Sequence, residues 1–299
     1  MNTENMLPPQ PPVSAPVWEH GLGDLTVQVG DLWVTSWDGE DLALVVIAGV
    51  HEAHVTVWLV TAEGQHTPAF PSFRLDADWL NEPLVCWPEA QAGISEALLS
   101  RRLGNVLTTR DVRAILVDVW ESDGETHATV AYLPQTRSEA ADDSLDLACR
   151  FVAMLSDLDT PYTDHQPLGV LSPRFKTEHS LTSPRDLSAH LPGVPAHVTS
   201  AFNAERLLES EEIETLAAVY HVAPAEVVTH PEDATVLAIR KPKWKRNVND
   251  VIETRRLYES EARLRTWERA KVPARQASVT AQEALDARIA HAFSELLTD

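Results

Sequence analysis

Residues 25–61, LTVQVGDLWVTSWDGEDLALVVIAGVHEAHVTVWLVT, decide the architecture of the N-terminal half. Three runs, Leu25–Trp37, Leu42–Ala48 and Val55–Thr61, are rich in Val, Thr and Trp, and turn formers such as Asp38 and Gly39 separate them. β-Branched side chains are stiff and crowd a helix but fit a pleated strand, so the runs predict short strands. Seven of the nine Trp precede residue 121, and large aromatics at that density suit the filled interior of a small barrel. The Trp cluster therefore reads as core before ligand platform.

Outward from this stretch the signals become helical. Thr108-Thr109-Arg110-Asp111 has the form of a capping box, and Val112, Ile115, Leu116 and Val119 follow at helical spacing, predicting a helix packed on the barrel. A strand is expected over 126–133 and a second amphipathic helix over about 138–158. Upstream, residues 1–17 hold Pro8, Pro9, Pro11, Pro12 and Pro16 and read as an extended tail that does not fold. Residues 159–181, with Pro161, Pro167, Gly169 and Pro173, read as a linker.

Beyond it, Ser183-Pro184-Arg185-Asp186 marks a helix start, and short helices are expected at about 184–191, 195–203, 210–221 and 224–229, with Ser210 capping the third. One helix is expected over about 247–271, where Glu259 with Arg263 and Glu261 with Arg265 make favourable i,i+4 pairs on a solvated surface. A last helix begins with the capping box Thr280–Glu283 and buries Leu285, Ile289, Phe293 and Leu296. The expected fold class is α+β: an N-terminal small SH3-like β-barrel, a helical helix-turn-helix region and a C-terminal helical segment. The domains read as 1–17 tail, 18–158 barrel with packed helices, 159–181 linker, 182–230 helix-turn-helix-like, and 231–299 basic arm and C-terminal helices.

Charge is distributed unevenly. The chain of 299 residues has a formal net charge of −21, yet residues 240–275 hold 12 of its 24 Lys and Arg against five acids. The densest part, Arg240-Lys241-Pro242-Lys243-Trp244-Lys245-Arg246, has five cations, one aromatic and no acid. Pro242 keeps it out of a regular helix, so it reads as an exposed arm whose cations displace counterions from phosphates while Trp244 stacks on a base or sugar. Screening over roughly 8 Å lets such a patch act apart from the acidic body.

Signatures of catalysis and metal binding are absent. There is no GxxxxGK[ST], GxGxxG or GxSxG, and 11 Gly leave few phosphate nests. His51-Glu52-Ala53-His54 falls between strands and lacks the spacing of a helical zinc motif, so it reads as a surface turn. Cys86 and Cys149 suggest neither a disulfide framework nor a cysteine metal site. The longest apolar stretch, Leu42–Val50, is about half a membrane span, and residues 1–16 lack the pattern of an export signal, so a cytoplasmic protein without membrane contact, cofactor or metal is expected.

Two family resemblances sharpen these expectations. Gly30-Asp31-Leu32-Trp33-Val34, Leu59-Val60-Thr61, Leu84-Val85-Cys86-Trp87 and Leu98–Gly104 with the Thr108 helix resemble the opening, later and closing strands and terminal helix of the MazF, Kid and CcdB toxin superfamily. That resemblance implies a small barrel and, in ribonuclease members, an arginine before the second long strand that stabilises the cleavage transition state. Here Gly39-Glu40-Asp41-Leu42-Ala43 puts carboxylates there, which removes that stabilisation and leaves Thr61 alone. Residues 183–228 resemble a lambda-repressor-like, XRE-type helix-turn-helix domain, with LPGVPAHVTSAFNAER at 191–206 as turn and recognition helix, Val198 and Phe202 buried, and Pro192 and Ala204 where glycines are usual. The resemblance places His197, Thr199, Ser200, Asn203 and Arg206 toward a DNA groove.

The sequence thus points to a non-catalytic nucleic-acid-associated regulator, DNA ahead of RNA, of a toxin-antitoxin or phage-defence type, with the barrel binding a protein or dimerising. The alternative is an interaction protein whose basic segment grips an acidic partner or its own acidic body. A MazF-like endoribonuclease with an altered site ranks last.

Overall fold

The computed structural model describes residues 6–69, 71–120, 127–133, 138–159, 168–191, 193–271 and 281–298. The expected roles of Pro192 and Thr280, the first five residues of the tail, and residues 160–167 of the linker lie outside them. The chain is α+β and divides into two compact units, Met1–Leu158 and Asp159–Asp299. Among the described residues no helix is long and apolar enough to cross a membrane.

The first unit is built on six antiparallel strands: β1 (Asp31–Trp37), β2 (Glu40–Val50), β3 (Val55–Ala62), β4 (Phe73–Leu75), β5 (Leu84–Ile94) and β6 (Leu99–Asn105). Their order is β4-β5-β3-β2-β1-β6, and the sheet curls into a half-barrel. Helices α1 (Ala15–His20), α2 (Thr109–Trp120) and α3 (Glu139–Asp157) complete the unit. Register explains why these strands read as continuous apolar runs. Trp33, Val45, Leu59 and Trp87 are successive cross-strand partners on one face, under Phe151, Val152 and Leu155 of α3. Val34, Leu44, Val60 and Cys86 form the corresponding row on the other face, packed with Val112 and Ile115 of α2. Both faces are dry, so alternation between apolar and polar residues is lost.

A buried ion pair fixes the start of this sheet. Asp31 is fully buried; Arg102 Nε and Nη2 donate to its two carboxylate oxygens at 2.8 Å each, and Asn105 Nδ2 and the Gln28 amide complete its shell at 3.1 and 3.2 Å. Gly30 beside it has φ +88°, and an added Cβ would lie 1.8 Å from the Leu107 carbonyl oxygen, so only glycine fits. Strand edges are covered too. Tyr132 bridges to Phe73 and the Leu133 amide donates to Ser72 O at β4, while the Leu22 amide donates to Arg102 O at β6.

Several expectations need correction. The proline-rich tail is not loose from residue 6 onward: Met6 and Val13 are buried in the two cores, Gln65 donates to Leu7 O, the Asn81 amide donates to Pro12 O, and Pro16 sits in the first turn of α1. Two apolar anchors, Met6 and Val13, and the accepting carbonyls of Leu7 and Pro12 seat it. The described end of the expected linker is structured, with strand β7 (Val170–Leu171) and helix α4 (Pro173–Glu178), because Leu171 and Phe175 are core residues.

The second unit is helical. After α4 come α5 (Pro184–Ser188), α6 (Pro195–Phe202), α7 (Ser210–Tyr220), α8 (Pro224–Val227), strand β8 (Val228–Thr229) paired with β7, α9 (Ala234–Ile239), α10 (Lys245–Arg255), α11 (Glu259–Ala270) and α12 (Ala281–Thr298). α4 to α8 share a core that includes Phe175, Leu187, Val198, Ile213 and Leu216. α9 to α12 share another around Trp244, Trp267, Ile289 and Phe293. The expected single helix over 247–271 is two helices, separated at Arg256, whose left-handed φ of 55° ends α10. The cap of α7 is Glu209 rather than Ser210.

Replacing Asp31 by Ala leaves the half-buried Arg102 guanidinium without its carboxylate, and the expected loss of stability is on the order of 1–3 kcal/mol. Urea unfolding followed by Trp fluorescence, which reports chiefly on this unit, checks it.

Candidate functional site

The cationic segment starts where α9 ends. Its seven residues are Arg240 and Lys241 just past α9, a 3-10 turn over Pro242–Trp244 and the first two residues of α10. Arg240 Nε lies 2.8 Å from Asp159 Oδ2, at ion-pair distance but off the angle of a hydrogen bond. Lys241 is half-buried. Lys243 Nζ donates to Asp286 Oδ2 of α12 at 2.6 Å and sits 5.2 Å from the centre of the Trp244 ring. Trp244 is buried against Phe293, their centroids 5.7 Å apart. Lys245 is buried, its ammonium 2.7 Å from both oxygens of Glu259, while Arg246 faces solvent.

This corrects the reading of an exposed arm. Trp244 brings the chain inward because burying a large aromatic surface outweighs leaving it solvated, and Lys245 follows because Glu259 receives its charge in the interior. The pair Glu259–Arg263 is likewise not on a solvated face. Arg263 donates from Nε and Nη2 to Glu259 Oε1 at 3.0 and 2.7 Å and from Nη1 to Ile239 O at 2.6 Å, and all three charged side chains are buried. Glu261–Arg265 is the more open pair, at 3.4 Å.

On the helix-turn-helix side, α6 buries Val198 and Ala201 and turns His197 and Thr199 outward, with Asn203 exposed just past its end and Ser200 half-buried. Arg206 is not groove-facing. Its guanidinium donates to both oxygens of Glu212 at 2.6 and 2.7 Å, to His197 O at 3.1 Å and to Leu207 O at 2.6 Å, all in the interior. Arg206 therefore clamps α6 to the start of α7. His197 Nε2 lies 3.7 Å from the same carboxylate, Thr199 donates to Pro195 O, and Asn203 Nδ2 lies 3.5 Å from Glu205 Oε1. Thus Arg240, Lys241, Lys243, Trp244, Lys245 and Arg246 lie together, as do His197, Thr199, Ser200, Asn203 and Arg206, but each set contains buried members tied to acids or backbone.

Two features of the first unit bear on chemistry. Thr61 is buried and its hydroxyl accepts the Trp87 indole N–H at 3.0 Å, beneath α3 rather than at an open surface. His51 and His54 stack at the β2–β3 turn, ring centroids 4.4 Å apart and planes 17° from parallel, and His51 Nε2 meets Thr56 Oγ1 at 3.0 Å. Stacked rings direct their nitrogens away from a shared point. Among the described residues there is no group of three or more His, Cys, Asp and Glu able to hold a metal ion.

A concave feature of the second unit has no counterpart among the expectations from sequence. A cavity of about 320 Å³ is walled by Val170, Pro173, His230, Asp233, Trp267 and Lys271 among others. Asp233 Oδ1 caps α9, accepting from the Thr235 and Val236 amides, and its Oδ2 accepts the Trp267 indole N–H at 2.8 Å. Lys271 Nζ sits 3.6 Å from the centre of the Trp267 ring and donates to Ala204 O at 3.3 Å. A second cavity, about 20 Å³, lies between Asp159, His230, Arg240 and Arg263 and shares His230 and Trp267 with the first. Burial lowers the His230 pKa; Asp159 opposes the shift and Arg240 adds to it. The residues of the first cavity come from four separated segments, and no local spacing announces them.

The chain matches no protein-family model and no curated protein.

Removing Glu259 leaves two buried cations facing each other. Glu259→Ala is expected to cost on the order of 3–5 kcal/mol, whereas Lys243→Ala, at a solvent-screened pair, costs roughly 0–1 kcal/mol, in a urea titration followed by far-UV circular dichroism, which weights the helices of this unit. His230 gives a pH dependence of opposite origin. Its folded pKa lies below the unfolded value of about 6.5, so the unfolded chain takes up a proton that the folded one refuses. Stability from this group is complete above that pH and falls as pH drops below it; His230→Gln should flatten the decline of the urea midpoint in mildly acidic buffer.

Proposed function

We propose that the chain is a non-catalytic interaction protein that presents side-chain surfaces to another protein, rather than one that grips phosphodiester backbones. One observation carries this reading: three of the five cations in the densest segment have acidic partners in their own unit, Arg240 on Asp159, Lys243 on Asp286 and Lys245 on Glu259. The basic segment thus does engage the molecule's own acids, but those of its own unit. The outward face of α6 carries no Lys or Arg, although Arg185 on α5 is exposed. Val194, 66% exposed, joins Pro195, Ala196, His197 and Thr199 on the outside of α6, and the exposed Glu205, Glu209, Glu211 and Glu214 lie close by in the chain. Affinity for DNA comes mostly from neutralising phosphates with Lys and Arg, and carboxylates near a candidate groove helix oppose it. Small apolar and neutral side chains rimmed by acids suit a protein partner.

A second reading, a nucleic-acid-associated regulator, is favoured by one feature. Five short helices, α4 to α8, enclose their own core, and α6 follows α5 after a turn with Thr199 and Asn203 outward, the order expected of a lambda-repressor-like domain. The half-barrel then stands for the toxin-like barrel, serving to bind a protein or a second copy. Its ribonuclease version finds little support, since Thr61 is covered and Asp41 pairs with Arg101 at 2.5 Å.

Binding of the full chain to duplex DNA and to RNA as a function of salt decides between the readings. The expected result is no saturable binding at low salt, with intact protein and a Lys241, Lys243, Arg246 triple-Ala variant alike. Binding whose logarithmic salt slope is about −0.9 per phosphate contact, and flattens in that variant, overturns the proposal in favour of the regulator.

A further inference from the structure

The cavity beside Trp267 is the feature that no functional reading above uses. Lysine is scarce in this chain: there are five, at 176, 241, 243, 245 and 271, against 19 Arg among the 24 basic residues. Lys176 donates to Phe202 O, Lys243 to Asp286 and Lys245 to Glu259, and Lys241 is half-buried at the 3-10 turn. Lys271 alone among them lines a described cavity, its amine over an indole face and bonded to one backbone carbonyl.

We propose that this cavity takes a small neutral carbonyl compound, an aldehyde or ketone with an apolar body, and that Lys271 captures it covalently as an imine. The uncharged amine attacks the carbonyl carbon and forms the C–N bond; the carbinolamine then loses its oxygen as water with the two hydrogens first held by nitrogen. No oxidant or reductant is needed, and the step reverses by hydrolysis.

The surroundings select this chemistry by exclusion. An anionic ligand meets Glu232 and Asp233 on the cavity wall, and Glu205 and Glu268 act on Lys271 from the α6–α7 connection and from α11. A cationic ligand finds the Trp267 face already taken by Lys271 and both Asp233 oxygens already accepting. A neutral molecule faces neither obstacle, and Val170 and Pro173 offer it apolar walls. Burial also lowers the Lys271 pKa despite the pull of Asp233, Glu205 and Glu268, which raises the share of nucleophilic amine. His230 on the same wall has its pKa lowered by burial too and adds no full positive charge near neutral pH.

Reductive trapping on the full chain tests this, with benzaldehyde and cyanoborohydride at neutral pH followed by peptide mapping; the α-amino group labels as an internal reference. Lys271 should gain the benzyl group several-fold faster than any of the other four lysines, and unfolding in urea should erase that preference. The preference should also be larger with benzaldehyde than with formaldehyde, because the apolar walls hold only the former. Lys271→Met should remove the fast adduct while far-UV circular dichroism stays unchanged; if that variant does not fold, the urea and two-aldehyde comparisons on the natural chain still decide. Labelling no faster than at Lys241 and Lys243, a preference that survives urea, or one equal for both aldehydes overturns the proposal.

Discussion

Glu259 is the anion on which the C-terminal helices are assembled. At the first turn of α11 it accepts Lys245 from the start of α10 and Arg263 from one turn further along α11, and Arg263 in turn reaches Ile239 O at the end of α9. Two cations and one carboxylate leave a net positive charge in the interior, which the Ile239 carbonyl helps to solvate. A group of this kind contributes less net stability than an apolar trio of the same volume would, but it tolerates no missing member and so constrains how three helices meet. Arg206 with Glu212 repeats the device between α6 and α7, and Asp31 with Arg102 repeats it between β1 and β6.

β1 to β3 and most helices were legible because their signals are local, whereas β4, β7 and β8 were not, and the strand expected over 126–133 is, among the described residues, only an isolated bridge at Tyr132. Val55–Thr61 reads as a strand from composition, Thr108 to Asp111 as a cap from spacing, and both are found, the cap closed by Asp111 N–H to Thr108 Oγ1 at 3.2 Å. Burial of charge was not legible. A run of cations looks like surface by every compositional rule, and it is Trp244 on Phe293, together with the distant carboxylates of Glu259 and Asp159, that turns it inward. The tail misled for the same reason: five prolines describe a backbone conformation, not whether Met6 and Val13 find an apolar seat.

The cavity was less legible still. Its walls join the β7–α4 connection, Ala204 in the α6–α7 connection, the β8–α9 connection and the end of α11, and none of these segments carries a motif. Single residues such as Lys271 acquire meaning only from Trp267 beneath them and Asp233 behind it. A chain with few lysines and many arginines gives a weak hint, since arginine is the ordinary choice for fixed structural pairs and lysine the one whose charge can be tuned.

The covered margins of the half-barrel set how another molecule can meet this unit. Residues 132–133 bond to β4 and its preceding turn, and Leu22 occupies an acceptor of β6, so neither outer strand offers an uninterrupted ladder of amides and carbonyls. Recognition through a shared sheet, and the runaway polymerisation that an open strand invites, are both discouraged. Any visitor has to be chosen by the shape and chemistry of projecting groups.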